Sequence, residues 1–126
     1  MIQKEILNLK KEIALNESNL IKVFLKKRDG QSYLNNHSLL IDKTLKELWE
    51  QLEFKNSASL IACGGYGRQE LFPYSDIDLL ILIPNKFNSS LNQKIEQFIT
   101  LAWDLGLRIG HSVRNINETK REIKKD

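Results

Sequence analysis

The apolar positions near the N-terminus fall on a helical period. Ile2, Ile6, Leu9 and Ile13 recur at steps of four, three and four, one face of a helix. The pattern continues through Leu20, Val23 and Phe24, and the basic Lys26, Lys27 and Arg28 follow where cations suit a helix C-terminus. Asp29-Gly30 is then expected to stop the helix. A second helix is predicted from Ser38, a suitable N-cap, with Leu40, Ile41, Leu45, Leu48, Trp49 and Leu52 on its apolar face. Both helices read as scaffold.

The pattern changes at residue 59. Residues 59–63, SLIAC, form a short apolar run ending at Gly64-Gly65, the signature of a strand entering a tight turn. Residues 77–83, IDLLILI, predict a stronger strand, aliphatic on both faces beyond its first carboxylates and therefore central in a sheet. Ser90 and Gln93 have capping-box spacing and open a third predicted helix with Leu91, Ile95, Phe98, Ile99, Ala102 and Trp103 on its face. Gly106 closes it, and residues 107–113 suit a third strand. Residues 115–126 carry only Ile116 and Ile123 as aliphatics, consistent with the start of a helix whose packing partner lies outside this chain. The predicted class is therefore α/β (α+β): a small mixed sheet flanked by helices.

Composition narrows the functional classes. A length of 126 residues suits one domain, with 41% apolar and 28% charged residues arguing against wholesale disorder. The net charge of +3 and the pI near 9.0 are mild, so charge alone implies neither nucleic acid nor a membrane surface as partner. The single cysteine, Cys63, excludes an internal disulfide framework and a CxxC zinc pair, and its place on an apolar strand suits a small core residue. No apolar run reaches the roughly 18 residues of a membrane span, and the N-terminal segment has no signal-peptide core. A soluble cytoplasmic protein is expected.

Asp76 and Asp78 are the most informative residues. Two apart at a strand start, they project from one face with Cα atoms roughly 6 to 7 Å apart. Carboxylates that close repel each other, and a hard divalent cation such as Mg²⁺ or Mn²⁺ relieves the conflict. A solvated strand edge is the alternative. The Gly64-Gly65 turn lets backbone N–H groups approach an anion closely, or is simply a tight turn. Two familiar phosphate loops are excluded: Gly67 is followed by Arg68-Gln69 rather than Lys-Ser/Thr, and Glu70 stands where a dinucleotide fingerprint needs its third glycine.

The string GGYGRQELFPYSDIDLLIL, followed by LGLRIGHSVR, resembles the N-terminal catalytic domain of the bacterial PII-protein uridylyltransferase/uridylyl-removing family. That family lies within the polymerase-β-like nucleotidyltransferases, and the likeness covers residues 64–83 and 104–114. It implies a polymerase-β-like fold, incomplete in this chain, with residues 1–55 as a helical segment packed on a nucleotidyltransferase core at 56–126. It further implies that Asp76 and Asp78 hold Mg²⁺ (or Mn²⁺) and that Gly64 and Gly65 seat the triphosphate. Arg68 suits either phosphate neutralisation or an exposed structural position, and Ser75 either a phosphate hydrogen bond or a turn cap. The implied substrate is UTP, and the implied acceptor is a tyrosine hydroxyl of the PII signalling protein; neither a membrane nor a nucleic acid is an expected partner.

Departures from the family pattern matter as well. The superfamily normally supplies a third carboxylate from a later strand, and residues 107–114 contain no acid. The family's hydrolase and ACT regulatory domains have no counterpart within these residues, so uridylyl removal and glutamine sensing do not carry over. The alternative function is thus a nucleotide-binding or interaction fragment without turnover. His111 and Ser112 fall on opposite strand faces and cannot form a nucleophile–base pair; as part of the family's GHSVR string, His111 and Arg114 suit either the lining of a nucleotide or acceptor site or a structural role. Tyr66 and Tyr74 suit either base stacking or loop packing, and Trp49 and Trp103 are expected in the core.

Overall fold

A computed structural model describes residues 3–84 and 88–117. Among these, the order is α1 (Gln3–Lys27), α2 (Gly30–Gln51), β1 (Ser59–Ala62), α3 (Gly64–Gly67), β2 (Ile77–Ile83), α4 (Ser89–Asp104) and β3 (Ile109–Asn115). The predicted helix beyond residue 117 lies outside the described residues.

The sheet has the order β1-β2-β3. β1 runs antiparallel to β2, pairing Ala62 with Leu79. β3 runs parallel to β2, pairing Asp78 with Gly110 and Leu82 with Arg114. The sheet is thus mixed, and α4 forms the crossover that a parallel β2–β3 pair requires. β2 is central, as its apolar run predicts, but its two faces differ. Ile77, Leu79 and Ile81 are buried, whereas Leu80 and Leu82 are half-buried and Asp78 is exposed. One face packs on the helices; the other leaves room for a site.

The core joins all these layers. Ile41, Leu45 and Leu48 of α2 meet Leu79 and Ile81 of β2 and Ile95, Phe98 and Ala102 of α4 in one buried cluster. Trp49 stacks on Phe54 with ring centroids 3.7 Å apart and meets Phe98 edge-on at 5.2 Å. Ile13 is the buried residue of α1, with Ile6 and Leu9 packed against the cluster more loosely.

Several boundaries differ from the sequence expectations for local reasons. Asp29-Gly30 does end α1, but α2 starts there and not at Ser38, because the Asp29 carboxylate accepts from the Ser32 N–H at 3.0 Å and caps the new helix. Ser38 is instead a buried residue inside α2. Asn88, accepting from Leu91 N–H, caps α4 two residues before the predicted cap Ser90. β3 is shifted by two residues from its expected start and ends at Asn115. Trp103 is 60% exposed rather than core, because Leu91, Ile95, Phe98 and Ala102 already define the buried face of α4 and the next residue points about 100° away.

Candidate active site

The site forms where the Gly64–Gly67 turn, the start of β2 and the start of β3 meet. α3 is a single helical turn, closed by Gly67 N–H donating to Cys63 O at 2.8 Å and Arg68 N–H to Gly64 O at 3.2 Å. Cys63 N–H donates to Asp78 O at 2.9 Å, fixing the turn beside the second aspartate. Gly64 has φ +56°, and a Cβ there would lie 2.7 Å from Asp78 Oδ2. A Cβ at Gly110 would lie 3.1 Å from Asp78 Oδ1. The Asp78 carboxylate therefore stands between two glycine backbones on neighbouring elements. Any side chain at Gly64 would need both a left-handed backbone and a displaced carboxylate.

A cavity of about 530 Å³ opens over this carboxylate, lined by Gly64, Asp78, Gly110, His111, Ser112 and Arg114 among others. Parallel pairing of β2 with β3 brings residues of the GHSVR string to the cavity, His111 and adjacent Ser112 both among its lining. Cys63 also lines this cavity and is only partly buried, so it is not the core residue expected.

Asp76 lies just before β2 with its side chain 74% exposed, and its carboxylate is 4.0 Å from Arg108 Nε. Arg108 Nη1 donates to Tyr74 O at 3.0 Å, and Ile77 N–H donates to Arg108 O at 2.7 Å. One arginine thus holds the loop that delivers Asp76. Sequence reasoning missed it; the available signal was a basic residue directly before the third strand.

The other candidates fall further out. The Arg68 side chain is exposed and pairs with Glu70 at 3.3 Å, outside the cavity lining. Ser75 N–H closes a turn by donating to Phe72 O at 3.1 Å, and the residue borders a separate cavity of about 140 Å³ around His37. Gly65 packs against the chain that follows it, with Glu70 N–H donating to Gly65 O at 2.8 Å. Tyr74, at φ +63°, is 82% exposed, whereas Tyr66 is buried. The Tyr66 hydroxyl donates to the Asp42 carboxylate of α2, which makes it an anchor for the turn and not a base-stacking surface. Burial raises its pKa above the ordinary phenol value, and the Asp42 hydrogen bond and charge add to the shift.

A second anchor involves His37 of α2, absent from the sequence reading. Its Nδ1 lies 2.8 Å from Leu71 O and its Nε2 3.2 Å from Glu17 Oε2, so the ring bridges α1 to the loop before Asp76. Burial pushes the imidazole pKa down, but the Glu17 hydrogen bond, the Leu71 carbonyl and the Glu17 charge outweigh it, and the net shift is upward. Both ring nitrogens face acceptors, the arrangement that favours imidazolium.

The chemistry of the donor set suits a divalent ion. Asp76 and Asp78 offer exposed, hard oxygen donors at one strand start. Among the described residues no group of three or more His, Cys, Asp or Glu is placed to enclose an ion alone. Magnesium commonly uses one or two carboxylates and completes its shell with substrate phosphates and water, so few protein donors are compatible with that ion.

Comparison with known proteins agrees with this geometry. The nucleotidyltransferase domain family matches residues 45–126. The chain is 43% identical over 105 residues to a bifunctional uridylyltransferase/uridylyl-removing enzyme of Nitrosospira multiformis, covering 79% of the chain and 12% of that relative. It is 46% identical over 99 residues to the protein of that name in Chromobacterium violaceum, covering 79% and 12%. A Burkholderia lata protein of the same name is 38% identical over 122 residues, covering 97% and 14%. The chain spans 12 to 14% of the length of these curated relatives. No solved structure matches it significantly. Among the described residues no helix is long and apolar enough to cross a membrane. With a mixed three-stranded sheet, a glycine turn facing an Asp-Ile-Asp strand start and a family match over most of its length, the chain belongs to the nucleotidyltransferase domain family.

Proposed function

We propose that this chain carries the nucleotide site of a Mg²⁺-dependent nucleotidyltransferase that moves UMP from UTP to a tyrosine hydroxyl of a PII signalling protein. The observation that carries the reading is the Asp78 carboxylate seated between Gly64 and Gly110 at the mouth of a 530 Å³ cavity. The uridylyltransferase names of the relatives supply the nucleotide and, through the resemblance, the acceptor.

Each residue then has a physical task. Asp76 and Asp78 hold the ion, which when bound neutralises triphosphate charge and polarises the α-phosphorus. The N–H groups of the first helical turn, at Gly64 and Gly65, have no preceding turn to accept them and suit phosphate oxygens. Arg114, lining the same cavity, adds positive charge on the β3 side. Arg68 and Ser75 are assigned supporting roles at the rim: Arg68 by swinging from Glu70 to phosphate, Ser75 by holding the turn before Asp76. In the transfer, the acceptor oxygen bonds the α-phosphorus, the α–β bridging P–O bond breaks, and its electron pair leaves on pyrophosphate. The phenolic proton passes to solvent.

The test is incorporation of labelled UMP into PII by the chain with Mg²⁺, beside the Asp78→Asn variant. Transfer by the parent and its loss in a folded Asp78→Asn protein are expected. Full activity in the variant would remove the metal-ligand assignment. Mg²⁺-dependent UTP binding without any transfer would instead support the non-catalytic nucleotide-binding reading.

A further inference from the structure

The two aspartates open into different cavities. Asp78 lines the 530 Å³ cavity that faces the Gly64 turn, whereas Asp76 lines a second cavity of about 400 Å³ with Trp103 and Arg108. Gly110 of β3 borders both cavities. In-line displacement needs the attacking and leaving oxygens on opposite sides of phosphorus, with ion ligands at their junction. Separate openings beside Asp78 and Asp76 suit a nucleotide and an acceptor that approach from different sides.

The lining of the second cavity suits an aromatic occupant. Trp103 exposes 60% of its surface, although Phe98 and Ala102 on the same helix are fully buried. An exposed indole offers a flat apolar face that stacks well on another aromatic ring. Arg108, held by Tyr74 O and Asp76, lines the same cavity and brings a positive charge to it. A positive charge there favours phenolate over phenol.

We propose that the Trp103–Arg108 cavity is the acceptor subsite, in which Trp103 stacks on the aromatic ring of the tyrosine that receives the nucleotidyl group. This rests on the transfer reading above and adds the residue that selects an aromatic acceptor over an aliphatic hydroxyl. Trp103 binds substrate here; Arg108 positions the Asp76 loop and faces the incoming oxygen.

The test measures equilibrium binding of PII to the chain with Mg²⁺, with and without a non-hydrolysable UTP analogue, for the parent, Trp103→Ala, Trp103→Phe and Gln97→Ala. Gln97 is exposed on α4 and borders a different cavity, so it controls for general surface effects. Trp103→Ala should weaken PII binding about tenfold, the order expected for loss of one aromatic stack. Trp103→Phe should recover most of that loss, and Gln97→Ala should match the parent. Analogue affinity, measured separately, should stay within about twofold of the parent in Trp103→Ala, as expected for a surface residue outside the nucleotide cavity. PII binding equal in Trp103→Ala and parent, or absent from the parent, overturns the subsite. Failure of the analogue to bind the parent overturns the nucleotide reading instead, and the PII measurement without analogue still judges Trp103.

Discussion

The Tyr66 hydroxyl donates to the Asp42 carboxylate, and this one contact ties the glycine turn to the scaffold helix α2. The Tyr66 ring is 5% exposed, so the turn is fixed from its buried side while Gly64 faces the cavity. The Tyr66 side chain thus couples the glycine turn to the scaffold.

That coupling predicts a measurable stability loss. Tyr66→Phe keeps the ring packing and removes the hydrogen bond to a charged, half-buried partner that water can partly resolvate. A loss of about 1 to 2 kcal/mol is expected from urea unfolding. Asp42→Ala should cost at least as much, because it leaves a buried hydroxyl without its acceptor. A double variant, Tyr66→Phe with Asp42→Ala, should lose less than the two single changes added together.

Gly64 predicts a sharper separation between folding and binding. Gly64→Ala places a Cβ 2.7 Å from Asp78 Oδ2 on a residue with φ +56°. The left-handed backbone alone costs an alanine about 1 to 2 kcal/mol. The displaced carboxylate should abolish Mg²⁺-dependent UTP binding even where the chain stays folded. Gly110→Ala, with a 3.1 Å approach and no left-handed requirement, should weaken binding while leaving stability nearer the parent. Calorimetric titration paired with urea unfolding separates the two effects.

The elements were legible where chemistry is local. An apolar run ending in Gly64-Gly65 marks a strand and turn, whatever else surrounds it, whereas Asp76 and Asp78, expected on one face, line different cavities because Asp76 precedes the strand. The glycine turn proved to be one helical turn, a small change in backbone with the same placement. What escaped notice depends on contacts across the chain. His37 reaches Leu71 and Arg108 reaches Tyr74, each 34 residues away, and Tyr66 reaches Asp42 over 24. No periodicity encodes those meetings. Trp103 shows a different limit: an aromatic next to an apolar helix face looks like core until the face is fixed to within one residue.

His37 makes stability depend on pH with a defined sign. Its folded-state pKa is raised, chiefly because the Glu17 hydrogen bond and the Leu71 carbonyl overcome the opposing effect of burial. The native state therefore holds its proton more tightly than the unfolded chain. The stabilisation is fully present below the unfolded value of about 6.5 and is lost as pH rises through the folded value. The other ionisable groups around this ring are Glu17 on α1, Tyr33 on α2, Tyr74 in the loop and Arg108 before β3. Tyr33 is shifted upward by burial, then by Glu17 and Tyr74, so it stays neutral across this window. Urea unfolding from pH 5.5 to 8.5 should show a falling stability in the parent. His37→Gln, which keeps a polar side chain but cannot ionise, should remove that slope; an unchanged slope would assign it to other groups.

The nucleotide site can be tested without any acceptor protein. Ligand at about 100 times its dissociation constant stabilises the folded state by about 2.7 kcal/mol, which raises the unfolding temperature of a domain this size by several degrees. With Mg²⁺, UTP should produce that shift more strongly than CTP, ATP or GTP. Chelating the metal should abolish it, because Asp76 and Asp78 would then face the triphosphate as uncompensated like charges. The Asp76→Asn/Asp78→Asn double variant separates the ion from the fold. Both side chains are exposed, so the variant should melt cooperatively near the parent without ligand, yet show no Mg²⁺-dependent rise with UTP. A rise that survives the double substitution would place the triphosphate elsewhere in the chain. No rise in the parent, on a cooperative melt, would mean that Gly64, Asp76 and Asp78 do not by themselves hold a nucleotide.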